Sequence, residues 1–398
     1  MIPSPSSQPV IVIGVTNPQT CLVMRGRLRA FRLAGFRVVL VASPGPLLDR
    51  IAASEGVQAV AIPMQREIAL ASDLVSLWQL WRLLGQLRPE IVEFSTPKAG
   101  LLGMLAARMR GIRSRVYLLR GLKLETATGF KRRLLLAAER LTCRSAHVVI
   151  ANSPSLRDKA LALRLMPAAR LVLLGGGSSR GVDVVQFCPG PSSARQQLGI
   201  APDAPVVGFV GRLTRDKGVP ELVDAFEKVL RRYSQTRLLL VGWFDAAEDA
   251  LPKALRRRIE NDPRMVVTGM VDAPRDYYRA MDLMVLPSWR EGFPNAVLEA
   301  AATGIPVVTT LATGARDSVL PEVTGLLVPP GNAEAVAEAV LTLLDNPERR
   351  QRMGQAARNW VLEGFLDAQV LTLTVKFYQG LIANHCAPAV DGVPALRL

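Results

Sequence analysis

Short apolar runs recur along this chain, each followed by a stretch of helical periodicity, and that alternation restricts the fold more than any other feature. In the first half the runs are 10–15, 38–42, 59–62, 91–94, 116–119, 147–151 and 171–174. A strand that alternates polar and apolar residues has one wet face. Runs apolar throughout predict strands buried on both faces, hence parallel sheets covered by helices. Helical patterns over 25–34, 72–87, 101–110 and 130–143 fall between them. Asp73 near a helix start, and Gly35 and Pro89 after helix ends, are the expected boundary residues.

The pattern restarts at Val206. Runs at 206–210, 238–241, 265–268, 283–286, 307–309 and 326–328 predict a second sheet, with helical patterns over 333–344 and 348–380 behind it. A chain of 398 residues exceeds what one core usually holds. Between the halves, residues 183–205 carry four prolines and the pair Ser192-Ser193, a linker composition. The expected architecture is α/β, two Rossmann-like domains facing across a cleft. The first spans 1–190, a linker 191–205 and the second 206–370; a helix and tail over 371–398 would return toward the first.

Charge is distributed unevenly. Residues 1–190 hold 26 Lys and Arg against 10 Asp and Glu, and the remainder 23 against 24, so the net +15 belongs to the first half. Such a half suits an anionic surface or partner. Lys131, Arg132 and Arg133 open one helix, with further cations at Arg25, Arg27, Arg29 and over 108–115; these are candidates for an anionic membrane surface. Nucleic acid is a poor partner, because no binding motif and little aromatic interleaving accompany the charge. His147 and His385 are too few for a histidine metal centre, and neither lies in a triad motif. Cys21, Cys143, Cys188 and Cys386 form no C-x-x-C pair and read as incidental thiols in a reducing compartment. The first nine residues lack a basic start, and no run reaches the ~20 apolar residues that cross a bilayer, so a cytoplasmic, peripheral protein is expected.

Two loops carry the chemistry. After the 206–210 run come Gly211-Arg212-Leu213 and Asp216-Lys217-Gly218, then a helix from Val219. A loop ahead of a helix meets its positive end, and two cations at that mouth suit a diphosphate. After the 283–286 run come Glu291-Gly292-Phe293-Pro294-Asn295, with Pro294 expected at the first helical position and Glu299 about a turn further on. Two carboxylates so placed can accept hydrogen bonds from the hydroxyls of a sugar and of a ribose.

The order Gly-Arg-Leu, Lys-Gly, Glu-Gly-Phe-Pro-Asn, Glu and then Gly304-Ile305-Pro306-Val307-Val308 resembles the family 4 retaining glycosyltransferases of the GT-B fold. The resemblance implies a nucleotide-diphosphate sugar as donor, with uridine as the base, and no cofactor or metal. Arg212 and Lys217 would hold the diphosphate, after the close turn at Gly211. Glu291 would contact the transferred sugar beside the backbone of Gly292, Phe293, Pro294 and Asn295. Glu299 would bind the ribose, and Gly269, Met270 and Val271 would line the base.

Segments 95–100 (with Lys98), 119–129 (with Arg120) and 181–183 (with Asp183) look like the capsular-polysaccharide, CapM-like branch. That branch implies a polyprenyl-diphosphate saccharide acceptor, with Lys98, Arg120 and Asp183 on the acceptor or sugar side. Arg120 stands where many related enzymes have histidine. Two other readings fit the same architecture: a nucleotide-sugar 2-epimerase, and a non-catalytic nucleotide-sugar-binding scaffold.

Overall fold

A computed structural model describes residues 8–65, 67, 69–245 and 249–386. The tail 387–398 and the side chains of Asn384, His385 and Cys386 lie outside the described residues, as do the first seven. The chain divides into two compact units, one of residues 1–180 with 370–398 and one of residues 181–369.

The first unit is built on β1 (Val10–Gly14), β2 (Arg37–Ala42), β3 (Gln58–Ala61), β4 (Ile91–Ser95), β5 (Ser114–Leu119), β6 (Val148–Ala151) and β7 (Leu171–Leu173). Its strands lie in the order β3-β2-β1-β4-β5-β6-β7, all pairs parallel, with Val12 in register with both Val39 and Val92. The second unit holds β8 (Val206–Val210), β9 (Arg237–Val241), β10 (Met265–Val267), β11 (Leu283–Leu286), β12 (Val307–Thr310) and β13 (Gly325–Val328), in the order β10-β9-β8-β11-β12-β13, again parallel. Both are Rossmann-like sheets. In each, the strand order reverses between the first and fourth strands, which leaves a crevice at the strands' C-terminal ends where such folds take ligands.

Helix placement follows elementary rules. In Val219–Arg232, the residues Val219, Leu222, Val223, Phe226, Val229 and Leu230 recur at three- and four-residue spacing, and all are buried. Asn332 and Asn346 cap the helices Ala333–Asp345 and Pro347–Gly364 by accepting the N–H groups of Ala335 and Arg349.

Two helical expectations are corrected. The pattern over 348–380 is not one helix: Pro347–Gly364 ends, and Asp367–Cys386 begins afresh. Between them the Phe365 carbonyl accepts the Val182 N–H at 2.9 Å, and Asp367 N–H donates to the Val182 carbonyl at 3.1 Å. The break satisfies a distant backbone segment, a cause invisible to local periodicity. The helix expected from Arg25 begins at Arg27, because Gly26 adopts φ 77° immediately before it.

The last helix brings Tyr378 into the core of the first unit. There Glu93 on β4, fully buried, takes Arg27 bidentately (Nη1 to Oε1 2.6 Å, Nη2 to Oε2) and accepts the Tyr378 hydroxyl. Burial alone would push the Glu93 carboxyl up; Arg27 and the tyrosine hydroxyl hold it below the ordinary carboxylate range. Arg27 is therefore a core residue and not one of the surface cations that the sequence offered. Cys21, Cys143 and Cys188 are free thiols. Among the described residues no helix is long and apolar enough to cross a membrane.

Candidate active site

The loops singled out by sequence leave neighbouring strands of the second unit on one edge of its sheet. After β8 the chain turns through Arg215–Gly218 into the helix that starts at Val219. Gly218 adopts φ 71° as that helix's N-cap, and a Cβ there would lie 2.0 Å from the Pro287 carbonyl oxygen at the end of β11. Only glycine permits both the left-handed backbone and that approach. The approach seats Lys217 against Glu291: Nζ donates to Oε1 at 2.5 Å, and Ser288 Oγ donates to the same oxygen at 2.7 Å. Oε2 makes no hydrogen bond to the described residues, so it is the oxygen open to an incoming hydroxyl.

The Glu291 loop is fixed from its other side by the segment after β12. Glu291 N–H donates to the Thr313 carbonyl at 2.9 Å. Gly314, at φ 75°, lies so close that a Cβ would stand 2.5 Å from the carbonyl oxygens of Glu291 and Gly292. Trp289 N–H donates to the Asp216 carbonyl at 2.9 Å, and Arg290 pairs with the Asp216 carboxylate. These contacts lock the loop after β11 to the loop after β8.

Beyond Glu291, Phe293 is buried and packs on Phe365 with ring centroids 5.3 Å apart, so its side chain anchors the loop and only its backbone faces the site. Pro294 is the N-cap of the helix Asn295–Ala302, one residue before the helical position expected of it. Its fixed φ of −76° suits that place as well. Together Gly292, Pro294 and Asn295 form the approach to the helix start, whose positive dipole end favours an anion. Glu299 lies within this helix, is 7% exposed, and accepts the buried Tyr278 hydroxyl at 2.8 Å.

On the other flank Gly211 follows β8 with φ 151°, and a Cβ on Gly242, after β9, would stand 1.8 Å from its carbonyl oxygen. Arg212 pairs with Asp245 at 2.8 Å and stands 3.8 Å from Asp249. Both candidate cations are thus held by carboxylates in this state, and a diphosphate would compete with Asp245 and Glu291 for them. Gly269, Met270 and Val271 follow β10 at the end of the same edge, with Met270 exposed.

Of the other three candidates, Asp183 belongs to the second unit and Lys98 and Arg120 to the first. Asp183 uses Oδ1 to accept the N–H groups of Val185 and Gln186, a local turn. Lys98 is clamped in the first unit by both oxygens of Asp73 (2.6 and 2.9 Å) and by the Glu67 carbonyl. Arg120, just after β5, donates Nε to Ser95 Oγ at 3.2 Å and Nη1 to Ser179 Oγ at 3.0 Å, while Nη2 is buried without a partner. Burial and the neighbouring Arg27 charge lower its pKa to about 10.

Comparison with known proteins decides the family. Residues 192–360 match the family described as "Glycosyl transferases group 1", and residues 23–177 match the "Glycosyl transferase 4-like domain". The capsular polysaccharide biosynthesis glycosyltransferase CapM of Staphylococcus aureus is 34% identical over 352 residues, 88% of this chain and 92% of that protein. The chain belongs to the group 1, family 4-like glycosyltransferases. A second relative of this glycosyltransferase, at 25% identity over 85% of this chain and 88% of the other, is the UDP-Gal:alpha-D-GlcNAc-diphosphoundecaprenol alpha-1,3-galactosyltransferase of Escherichia coli. In fold it is similar to Anabaena HepE, solved in complex with UDP-glucose: TM-score 0.77 and 20% identity, over 93% of this chain and 99% of that one. The fold is GT-B.

Several residues of this candidate site escaped the sequence. Ser288 and Tyr278 orient Glu291 and Glu299 but are ordinary residue types. Gly314 gave little signal, since it stands well beyond the end of β12 at Thr310, whereas Gly211 follows β8 directly. Asp245 and Asp249, the partners of Arg212, sit on a different loop and gave none.

Proposed function

We propose that this glycosyltransferase moves a sugar from a uridine-diphosphate donor to a saccharide carried on a polyprenyl diphosphate, with retention at the anomeric carbon. The observation that carries the reading is the Lys217–Glu291 pair at the reversal of strand order, with Arg212 one loop turn away. In this reading Lys217 and Arg212 neutralise the diphosphate, whose negative charge grows as the bond from the anomeric carbon to its oxygen breaks. Glu291 Oε2 accepts a hydroxyl of the transferred sugar while Lys217 and Ser288 hold its other oxygen in place. The acceptor oxygen bonds to the same face of that carbon, and its proton passes to the departing phosphate oxygen. Glu299, oriented by Tyr278, takes the ribose, and Gly269–Val271 the base. No metal or cofactor enters the scheme.

The names of the relatives support the donor and acceptor classes: the E. coli protein is named for a UDP-linked sugar and a diphosphoundecaprenol acceptor. Arg120, Lys98 and Asp183 are proposed for the acceptor or sugar side, with Lys98 required to leave Asp73 before it could serve. Membrane contact is assigned to the helix Gly129–Ser145, where Phe130 (80% exposed), Leu134 and Leu141 accompany Lys131, Arg132 and Arg133. Apolar and cationic side chains together suit an anionic lipid surface. A panel of nucleotide sugars assayed against short polyprenyl-diphosphate saccharides, with a control lacking acceptor, tests the reading. Transfer that requires acceptor supports it; free sugar released without acceptor points instead to the 2-epimerase chemistry.

A further inference from the structure

Arg120 makes no ion pair among the described residues. It is half-buried at the end of β5, its Nε and Nη1 go to neutral serine hydroxyls, and its Nη2 reaches nothing among the described residues. The carboxylate whose charge it feels, Glu93, is hydrogen-bonded to Arg27 and Tyr378 and not to Arg120: one oxygen takes Arg27, the other takes Arg27 and Tyr378. Arg180 adds a second positive charge close enough to act on it. Removing a cation from water without a partner is costly, so an arginine in this state is either a defect or a waiting ligand site.

The surroundings match the second case. Ser179 is 8% exposed and is presented by a loop in which Ser178 holds a left-handed φ of 64°. Ser178 N–H is fixed at 2.8 Å to the carbonyl of Asn152, the residue after β6. Asn152 is itself buried, and its Oδ1 is a second polar atom without a partner. At the end of β4, Thr96 follows Ser95 at φ 72°, an outlier for a β-branched residue, held by the Thr16 hydroxyl at 2.7 Å. An unpaired donor on one strand end and an unpaired acceptor on the next suit a ligand bearing both an oxyanion and a hydroxyl.

We propose that Arg120, with Ser95 and Ser179, forms an oxyanion subsite of the first unit, with Asn152 Oδ1 beside it to accept a hydroxyl of the ligand. Its ligand is a phosphate of the lipid carrier or the carboxylate of an acidic sugar in the acceptor. That the anion belongs to the acceptor rests on the transfer reading above; the anion site itself does not.

The test is calorimetric titration of the full chain on an Arg212→Ala, Lys217→Ala background, which removes the cations of the second unit. Inorganic pyrophosphate and glucuronate are titrated separately. One of them should bind this parent, and adding Arg120→Gln should weaken it about 10- to 100-fold, the loss expected for a charge-assisted hydrogen bond. Pyrophosphate binding assigns the carrier phosphate, and glucuronate binding assigns an acidic sugar. Without ligand, Arg120→Gln should melt at or above the parent, because it removes an uncompensated charge. The proposal is overturned if neither anion binds the parent. It is equally overturned if Arg120→Gln binds as the parent does while melting lower, which would make Arg120 structural. No donor or turnover enters this measurement, so its failure and that of the transfer reading are distinguishable.

Discussion

Glu139→Gln should stabilise the first unit at about pH 8 and change little near pH 4.5. Glu139 lies in the helix Gly129–Ser145, 6% exposed, and accepts the Tyr117 hydroxyl at 2.8 Å. Burial pushes its carboxyl up to about 7 from an ordinary 4.5, and the tyrosine hydrogen bond offsets only part of that. The folded state therefore holds the proton more tightly than the unfolded one. Below about pH 4.5 both states are protonated and no penalty exists; between about 4.5 and 7 the unfolded state ionises first and stability falls; above 7 the full penalty applies. The separation is worth about 3 kcal/mol, at ~1.4 kcal/mol per pH unit. Glutamine keeps the shape and an acceptor for Tyr117 but cannot ionise, so it should recover most of that at high pH. Pulse proteolysis in urea, following fragments of the first unit at about pH 5 and pH 8, reads the difference. A gain that is the same at both pH values, or a loss at pH 8, would refute the linkage.

Other perturbations reach the remaining parts of the account. Gly218→Ala drives a methyl group into the Pro287 carbonyl and forces a left-handed alanine; transfer should fall at least about tenfold with the loss of Lys217 placement, as seen in kcat. Tyr378→Phe leaves Glu93 with Arg27 alone, which should cost the first unit about 1–3 kcal/mol in urea midpoint measurements. Phe130→Ser combined with alanine at Lys131, Arg132 and Arg133 should reduce co-sedimentation with vesicles containing anionic lipid; unchanged binding would remove this helix from the membrane contact.

Much of the fold could be read before the structure, for a physical reason. Strands of a covered parallel sheet are apolar throughout, so 206–210 and 283–286 mark themselves without knowledge of their partners. What could not be read depends on pairs distant in sequence. Arg27 looks like any helix cation until Glu93 arrives 66 residues later to bury it. Nothing near Lys98 in sequence shows that Asp73, 25 residues earlier, pairs with it. The helix break at Phe365 is made by Val182, although Gly364 and Asp367 are the stop and start residues that could have marked it. The donor loops lie between, since their residue types were legible but their present partners were not. Arg212 and Lys217 are expected to hold a diphosphate, and the carboxylates that pair with them here, Asp245 and Glu291, lie on other loops.

The central claim is that the Glu291 carboxylate, held by Lys217 and Ser288, serves the transferred sugar. Sugar transfer by Glu291→Gln, measured with an unfolding curve for the same protein, tests it most directly. Glutamine fills the same space and is still able to accept the Ser288 hydroxyl, so the fold should persist while turnover drops about a thousandfold or more, the scale of losing a positioned charge in a transition state. Turnover near that of the parent, in a variant that unfolds as the parent does, would contradict the account.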